Sequence, residues 1–165
     1  MGLGIMLVTF VAMEGVAWVM HKYVLHGFLW FLHKSHHTHH KHAFEWNDLF
    51  FAYYGTLAML FFVFGSEPID YRFWIGAGIT LYGVAYFLIH DVFIHRRIRL
   101  FGKTSNVYLK ALNIAHKVHH KHTGRDGSES YGMLWVAPRY FRSAYASLQK
   151  RQQGGQTWRS TPSKS

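Results

Sequence analysis

The sequence predicts an all-α integral-membrane protein, because three long apolar stretches alternate with polar, basic segments along 165 residues. Hydrophobic residues make up 50% of the chain, yet the mean hydropathy is only -0.03, so the apolar residues are concentrated in part of it. The second observation is that the chain has 14 His and 0 Cys. The lack of Cys excludes disulfides, thiolate zinc sites and Cys-bound iron–sulfur clusters, whereas so many His in a short chain indicate a metal site.

Three stretches are apolar and long enough to be transmembrane helices: Leu3–Met20, Leu49–Gly65 and Phe73–Ile89. Each approaches the ~20 residues needed to cross about 30 Å of hydrocarbon. A break of the third stretch near Gly76–Gly83 would raise the number of spans to four. The alternative is a soluble protein with three buried core helices. The first stretch has no basic n-region and no obvious cleavage site, so it is not interpreted as a signal peptide.

The distribution of Lys and Arg predicts the orientation in the membrane. The loop over residues 66–72 holds one Arg, the segment over residues 22–48 holds three Lys, and the tail from Arg96 onward holds fourteen Lys and Arg. Placing both basic segments in the cytoplasm satisfies the positive-inside rule and puts the N-terminus outside. The net charge of +10 is then explained without nucleic acid, for which no motif is visible.

Residues 1–149 are expected to form one membrane domain, followed by a disordered basic tail over residues 150–165. Within the domain, a helix is expected to start at Thr104 or Ser105 and to run through His122, with Gly124 past its end. Beyond Gln149 the chain is polar and rich in Gly and Ser, a composition typical of disorder.

Ten of the histidines fall into four clusters whose spacing, HxxxxH and then HxxHH, occurs twice along the chain. They are His21 and His26; His33, His36 and His37; His90 and His95; His116, His119 and His120. Positions i, i+3 and i+4 share one face of an α-helix, so each HxxHH predicts three imidazoles that converge on one point. Positions i and i+5 lie about 140° apart, so an HxxxxH pair is expected to serve different metals or to mark a helix end that unwinds.

The four clusters all lie at the cytoplasmic ends of the spans or in the adjoining cytoplasmic segments. A zinc site needs only four protein ligands, so ten imidazoles imply two metals with coordination positions left open. Imidazole suits iron, and O₂ chemistry at two irons fits this arrangement best, although zinc can displace ferrous iron in a purified sample. We therefore expect about three transmembrane helices with cytoplasmic helices that carry a His-rich dimetal site.

Residues behind the ligands are expected to orient the imidazoles. Glu45, Asp48 and Asp91 are the candidate carboxylates by position. Asn113 precedes His116 by three residues on the same helical face, so it is a candidate to reach the metals directly or through water.

Four further histidines, which lack the duplicated spacing, are expected to lie at the surface or behind the ligands: His39, His40, His42 and His122. His40 is the strongest candidate for an exception, since it lies four positions after His36 if that helix continues.

Four local strings resemble the bacterial β-carotene hydroxylases of the fatty acid hydroxylase/sterol desaturase superfamily. They are HKYVLHGFLWFLHKSHH, FEWNDLF, LYGVAYFLIHDVFIH and LKALNIAHKVHH, and the similarity covers roughly residues 10–140. The resemblance implies that the ten histidines ligate iron and that O₂ is used to hydroxylate carbon 3 of the β-ionone rings of β-carotene, giving β-cryptoxanthin and then zeaxanthin. It also implies the bacterial inner membrane, with the active site on the cytoplasmic side.

The electrons are expected from a separate protein, because no dinucleotide fingerprint, P-loop or haem-attachment motif is visible. The basic cytoplasmic face would suit an acidic, ferredoxin-like donor. Enzymes of other specificity that use the same chemistry are the alternatives: a carotenoid ketolase, or a fatty-acyl or sterol hydroxylase or desaturase. A His-rich metal transporter would need ionisable residues inside the spans, where only Glu14 qualifies.

A substrate as apolar as β-carotene must be held by apolar and aromatic contacts along a groove between the spans. One ring is expected at the metals, with the polyene running back into the bilayer. The candidate groove residues are Trp18, Phe28, Trp30 and Phe31 near the first clusters, and Tyr82, Tyr86 and Phe87 along the third span.

Overall fold

The structure is a computed structural model that describes residues 1–38 and 44–159, with side chains described as far as Gln153. Every regular element in these ranges is helical, which confirms the predicted all-α class. The helices are α1 (Gly2–Val19), which continues as a π-helical segment (Met20–Phe28); α2 (Trp30–His37); α3 (Asp48–Gly65); α4 (Tyr71–Tyr86), which continues as a π-helical segment (Phe87–Ile94); α5 (Val107–His119); and α6 (Pro138–Arg159).

Three helices in the described ranges are long and apolar enough to cross a membrane: Gly2–Phe28, Asp48–Gly65 and Tyr71–Ile94, which contain 18-residue windows with mean hydropathies of 2.0, 1.5 and 1.5. Each includes the whole of one predicted stretch, and the first and third run on past its end. The third span is continuous through Gly76–Gly83, so the described residues form three such helices rather than four. Most of the large apolar side chains on the outer faces are exposed, which suits contact with lipid.

Helix α4 packs between α1 and α3, and two of its glycines allow the backbones to approach closely. A Cβ at Gly78 would lie 2.6 Å from the carbonyl oxygen of Met6 in α1. A Cβ at Gly76 would lie 3.0 Å from the carbonyl oxygen of Ala58 in α3. Small residues at such crossings are typical of membrane helices, because close backbone packing stabilises the bundle there.

Helices α5 and α6 form a second packing unit outside the spans. Their shared core consists of Ala111, Leu112, Ala115, Val136, Tyr140 and Ala144. Helix α6 runs from Pro138 to Arg159, and the division into a domain over residues 1–149 and a disordered tail stays a prediction. Residues 160–165 lie outside the described part of the chain.

The predicted limits of α5 were wrong at both ends. The helix starts at Val107 because the side-chain oxygen of Asn106 accepts a hydrogen bond from the backbone N–H of Leu109 at 3.0 Å, as an N-cap does. Thr104, one of the two expected caps, accepts a hydrogen bond from the Asn106 backbone instead. The helix ends at His119, before His122, since the backbone N–H of Lys121 bonds three residues back, to the Val118 carbonyl, and tightens the last turn.

Glu14 in α1 binds the connection between α5 and α6 to the membrane-spanning helices. One carboxylate oxygen of Glu14 accepts hydrogen bonds from the backbone N–H groups of Met133, Leu134 and Trp135 at 2.9, 2.9 and 2.8 Å. The other accepts from the Tyr82 hydroxyl at 2.8 Å. This carboxylate therefore ties α1, α4 and the connection before α6 together beside the histidines.

Candidate metal centre

The structure brings the ten motif histidines together in two adjoining groups. Cluster A consists of His21, His26, His33, His37 and His119, whose ring nitrogens lie within 4.8 Å of one another. Four histidines form the second group by the same measure: His36, His95, His116 and His120. His90 lies against them, with its Nε2 atom 3.0 Å from that of His36, and these five residues are called cluster B. Two neighbouring groups of five imidazoles are a donor set for two metal ions.

Each HxxHH motif divides its histidines between the two clusters. In α2, His33 and His37 join cluster A whereas His36 joins cluster B. In the second motif the assignment is reversed. The middle histidine, His119, joins cluster A, whereas His116 and His120 join cluster B. The expectation that all three imidazoles converge on one point was therefore wrong. Positions i+3 and i+4 lie about 100° apart around a helix, which is enough to point them at different neighbours.

Each HxxxxH pair converges on a single cluster: His21 and His26 lie in the first π-helical segment, and His90 lies in the second, which His95 directly follows. The ring centroids of His21 and His26 are 5.2 Å apart, and those of His90 and His95 are 4.5 Å apart. The backbone N–H of His95 bonds to the carbonyl of His90 at 2.8 Å, and this i to i+5 bond defines a π-turn. The wider turn aligns the two residues that an α-helix would separate, so the members of a pair do not serve different clusters.

Seven of the ten clustered histidines are buried, and burial favours the neutral form of the four imidazoles considered next. Removal from water lowers the pKa of His33 to about 2 and that of His37 to about 4. Burial likewise lowers the pKa of His119 to about 3 and that of His120 to about 2. Neutral imidazoles keep the lone pair that a metal needs, so these residues are ready to bind a cation near pH 7.

The Nε2 atoms face inward, and several of them lie too close together to be stable without a shared partner. The distances between Nε2 atoms are 3.0 Å for His21 and His33, 3.3 Å for His26 and His119, and 2.8 Å for His95 and His116. The buried Nε2 atom of His120 has no hydrogen-bond partner in the described residues. Converging lone pairs of this kind fit a bound metal ion.

The Nδ1 atoms of cluster A point outward and donate to neutral oxygens. The acceptors are the backbone carbonyls of Tyr131, Arg125, His122 and Glu129 and the side-chain amide oxygen of Asn47, at 2.7 to 3.0 Å. Four of these five acceptors therefore lie in the connection between α5 and α6. The hydrogen bonds from this connection to Glu14 hold these acceptors in place. Such acceptors fix the orientation of metal-binding imidazoles.

Carboxylates lie behind cluster B. His36 Nδ1 donates to Glu45 Oε2 at 2.8 Å, and His90 Nδ1 lies 3.4 Å from Asp91 Oδ2. Glu45 thus stands where it can orient an imidazole, whereas Asp91 lies beside His90 without bonding to it, since the buried Nδ1 atom of His90 makes no hydrogen bond within the described residues. Asp48 touches neither cluster, but accepts a hydrogen bond from the backbone N–H of Glu45 at 2.9 Å.

The remaining candidates lie away from the clusters or outside the described residues. Asn113 is half-buried on α5, and its side chain makes no hydrogen bond within the described ranges. The His122 residue is exposed, while its backbone carbonyl accepts from His37 at 3.0 Å. His39, His40 and His42 fall within residues 39–43, outside the described part of the chain.

Sequence reasoning missed two residues that support the centre, Arg97 and Asn47. The Arg97 guanidinium contacts Glu45, Asp48 and Asp91 at 3.1, 2.9 and 3.2 Å. Nothing in the spacing of the basic residues distinguishes Arg97 from its neighbours Arg96 and Arg99. Asn47 lies inside the FEWNDLF string, and its position between two other polar residues, Glu45 and Asp48, was the one available signal.

A cleft of about 1820 Å³ leads from the membrane-spanning helices to both clusters. Its membrane side is lined by Met13, Ala17, Leu25, Tyr54, Ile79 and Tyr82, and its other end by His36, His95, His116 and His120. Three of the expected groove residues line it: Tyr82, Tyr86 and Phe87. The other four do not, so this part of the prediction was wrong: Trp18, Phe28, Trp30 and Phe31. Phe28 and Phe31 are exposed on the outer surface, and Trp30 packs against His26.

The chain is similar to proteins named β-carotene hydroxylase. It is 40% identical over 132 residues to that of Pseudescherichia vulneris, covering 80% of this chain and 75% of the relative. It is 41% identical over 134 residues to that of Pantoea ananas, covering 81% and 77%. It is 39% identical over 135 residues to a chloroplastic β-carotene 3-hydroxylase of Haematococcus lacustris, covering 74% and 39%. No family model matches the chain, and no solved structure matches it.

Proposed function

The chain belongs to the β-carotene hydroxylase family, and from that premise we propose that it hydroxylates carbon 3 of the β-ionone rings of β-carotene. β-Cryptoxanthin is then the first product and zeaxanthin the second. The position on the ring is supported by the name of the Haematococcus lacustris relative, a β-carotene 3-hydroxylase. The observation that carries the proposal is the apolar cleft that ends at two clusters of metal-binding residues.

The histidines fit a pair of iron ions. In the proposal, the five residues of cluster A hold one ion and the five residues of cluster B hold the other. The donor set supports this, because the Nε2 atoms converge, and the Nε2 atom of His120 is buried without a partner in the described residues. When bound, the iron pair would supply O₂ activation for cleavage of an unactivated C–H bond.

The side chains of the cleft bind the substrate and exclude water. β-Carotene has no polar group, so its affinity must come from apolar contact along the cleft. Met13, Ala17 and Ile79 line the part within the spans, where the polyene would lie. The Tyr86 ring lies 4.7 Å from that of His90, so it marks where one β-ionone ring would stop. A β-ionone ring that stopped at Tyr86 would have its carbon 3 facing the metals.

Two features support an external electron donor and a cytoplasmic active site. The exposed side chains of Lys34, Lys117, Lys121 and Arg125 lie on the elements that carry the clusters, and they would attract an acidic, ferredoxin-like protein. The same basic segments would face the cytoplasm by the positive-inside rule. We therefore place the protein in the bacterial inner membrane with the clusters at its cytoplasmic surface.

Metal transport has less support than oxygenation. A transporter needs ionisable residues that line a path through the spans. Glu14, the one charged residue in the predicted stretches, is already bonded to Tyr82 and to three backbone N–H groups. Its carboxylate therefore stabilises the fold.

Pigment analysis in bacteria that make β-carotene tests the proposed function. Cells that express the chain with a competent electron donor should accumulate β-cryptoxanthin and zeaxanthin. A matched chain with His36→Ala should leave β-carotene unchanged. Accumulation of 4-keto carotenoids would identify a ketolase. Unchanged β-carotene beside hydroxylated acyl chains would assign the enzyme to lipid metabolism.

A further inference from the structure

The two clusters differ in the groups that accept hydrogen bonds from their outward-facing Nδ1 atoms. All five acceptors behind cluster A are neutral oxygens, and the one from a side chain belongs to Asn47, bonded to His33 at 2.7 Å. Behind cluster B, Glu45 accepts from His36 at 2.8 Å and Asp91 lies 3.4 Å from His90. The two clusters come from a duplicated histidine pattern, but the groups behind cluster A are neutral whereas those behind cluster B are carboxylates.

A single guanidinium joins the carboxylates behind cluster B. Nη2 of Arg97 lies 3.1 Å from Glu45 Oε2, the same oxygen that accepts from His36. Nε of Arg97 lies 3.2 Å from Asp91 Oδ1, while the other oxygen of Asp91 faces His90. Nη1 of Arg97 bonds to Asp48 at 2.9 Å. Arg97 thus reaches two histidines of cluster B, each through one carboxylate, and contacts no residue of cluster A.

The backbone turns sharply to place Arg97 there. Arg96 has a φ of 57°, a left-handed conformation that costs roughly 1–2 kcal/mol for a residue with a side chain. The turn follows His95 directly and lets the backbone N–H of Arg97 bond to the Asp91 carbonyl at 2.9 Å. The Arg97 side chain is only 25% exposed. Arg96 is therefore strained directly after His95, and this turn places the Arg97 guanidinium in contact with three carboxylates.

We propose that Arg97 is a positioning residue that makes the two metal sites unequal, by holding Glu45 as a charged acceptor and Asp91 as a neighbouring charge behind cluster B alone. This inference rests on the proposed function, because it assumes that each cluster holds a metal ion. An imidazole that donates to a carboxylate is a more basic ligand than one that donates to a carbonyl or an amide. Cluster B therefore binds a divalent cation more tightly than cluster A and holds ferric iron more strongly against reduction.

Exchanging the acceptors tests the inference, with Co²⁺ and ⁵⁷Fe²⁺ as the probes. The wild-type protein in detergent should bind two ions with two different affinities. Glu45→Gln keeps the shape of the acceptor and removes its charge, so it should weaken the tighter site about 10–100-fold and leave the other unchanged. Arg97→Gln should do the same. Asn47→Asp adds a charge behind His33, so it should tighten the weaker site.

Mössbauer spectra of the ⁵⁷Fe-loaded protein give a second readout that general loss of stability would not produce. Two iron environments should be resolved, and stepwise reduction of the oxidised sample should convert one before the other. Glu45→Gln should alter the signal that is reduced last, and Asn47→Asp should alter the signal that is reduced first. Arg99→Gln, an exposed change two positions from Arg97, is the matched control and should alter neither.

The outcomes separate the inference from the proposed function. If the wild-type protein binds two ions with one affinity, or if Glu45→Gln and Asn47→Asp change both sites alike, the inference is wrong while the two-metal site stands. Fewer than two ions in the wild-type protein would overturn the proposed function and the inference together. A signal from the unaffected cluster in each variant shows that the protein has folded.

Discussion

The rings of His37 and His120 lie 4.5 Å apart between centroids and are inclined by only 23°, although they belong to different clusters. His37 is the last residue of α2, and His120 directly follows the end of α5. The two clusters are therefore immediate neighbours, held together where these helix ends meet. Two metal ions in these positions would lie close enough to act on one substrate.

The division of each HxxHH motif predicts which double variants lose both metals. His33→Ala with His37→Ala removes two ligands of cluster A, so about one iron per chain should remain. His33→Ala with His36→Ala removes one ligand from each cluster and should lower the affinity of both sites. Iron analysis of the purified variants measures the difference, and a fluorescence-detected size-exclusion profile in detergent checks the fold. Loss of the same metal in both pairs would contradict the division.

Removing the Glu14 carboxylate should destabilise the protein strongly. Glu14→Ala leaves three backbone N–H groups and the Tyr82 hydroxyl without their acceptor; the exposed Trp135 N–H can bond to water instead, whereas each of the other groups that stays unsatisfied costs about 1–3 kcal/mol. Tyr82→Phe removes one of these hydrogen bonds and should cost only about 1 kcal/mol. Thermal unfolding in detergent should therefore rank Glu14→Ala well below Tyr82→Phe. Equal melting temperatures for the two variants would show that the connection to Met133–Trp135 contributes nothing.

Filling the cleft should block the substrate without removing the metals. Ala17 lines the membrane side of the cleft, so Ala17→Trp should reduce the hydroxylation of β-carotene by roughly 5- to 150-fold, which corresponds to the cost of about 1–3 kcal/mol for an overfilled apolar site. Val63→Trp is the matched control, because Val63 is 64% exposed on the outer face of α3. Pigment yield and iron content are measured together. Equal yields from both variants would place the substrate elsewhere.

The metal-free protein should lose stability as the pH falls below about 6.5. Unfolded histidines take up protons near that pH, whereas burial lowers the pKa of folded His37 to about 4 and that of His119 to about 3. The unfolded state then binds more protons than the folded state, so acid favours unfolding. Melting temperatures of the metal-free protein should decline from pH 7 towards pH 4. A melting temperature independent of pH in this range would contradict the buried, neutral state of the clusters.

Hydropathy and histidine spacing predicted the three spans and the ten residues that gather at the centre. These features repeat along the chain, and the length of a membrane helix is set by the bilayer. The grouping of the histidines could not be predicted, because two π-turns change which residues share a face. Those turns depend on how the ends of the helices pack. An α-helical wheel therefore placed His21 and His26 apart, although they share a cluster.

The supporting residues were only partly predictable for a related reason. Glu45 and Asp91 stood out because acidic residues are scarce and these two lie close to histidines in sequence. Arg97 is one of several nearby arginines, and only the left-handed turn at Arg96 distinguishes it. Backbone carbonyls, which serve most of cluster A, carry no sequence signal. Their positions depend on the hydrogen bonds that Glu14 makes to the connection between α5 and α6.

Isotope labelling of the product tests the central claim most directly. The purified protein, loaded with iron and supplied with electrons from a ferredoxin and its reductase, is given β-carotene under ¹⁸O₂ in ordinary water. The account predicts that each new hydroxyl group carries ¹⁸O, and that β-cryptoxanthin appears before zeaxanthin. A doubly substituted chain, with His33→Ala and His36→Ala, should give neither product. Hydroxyl oxygen that comes from water, or labelled product from the doubly substituted chain, would contradict the account.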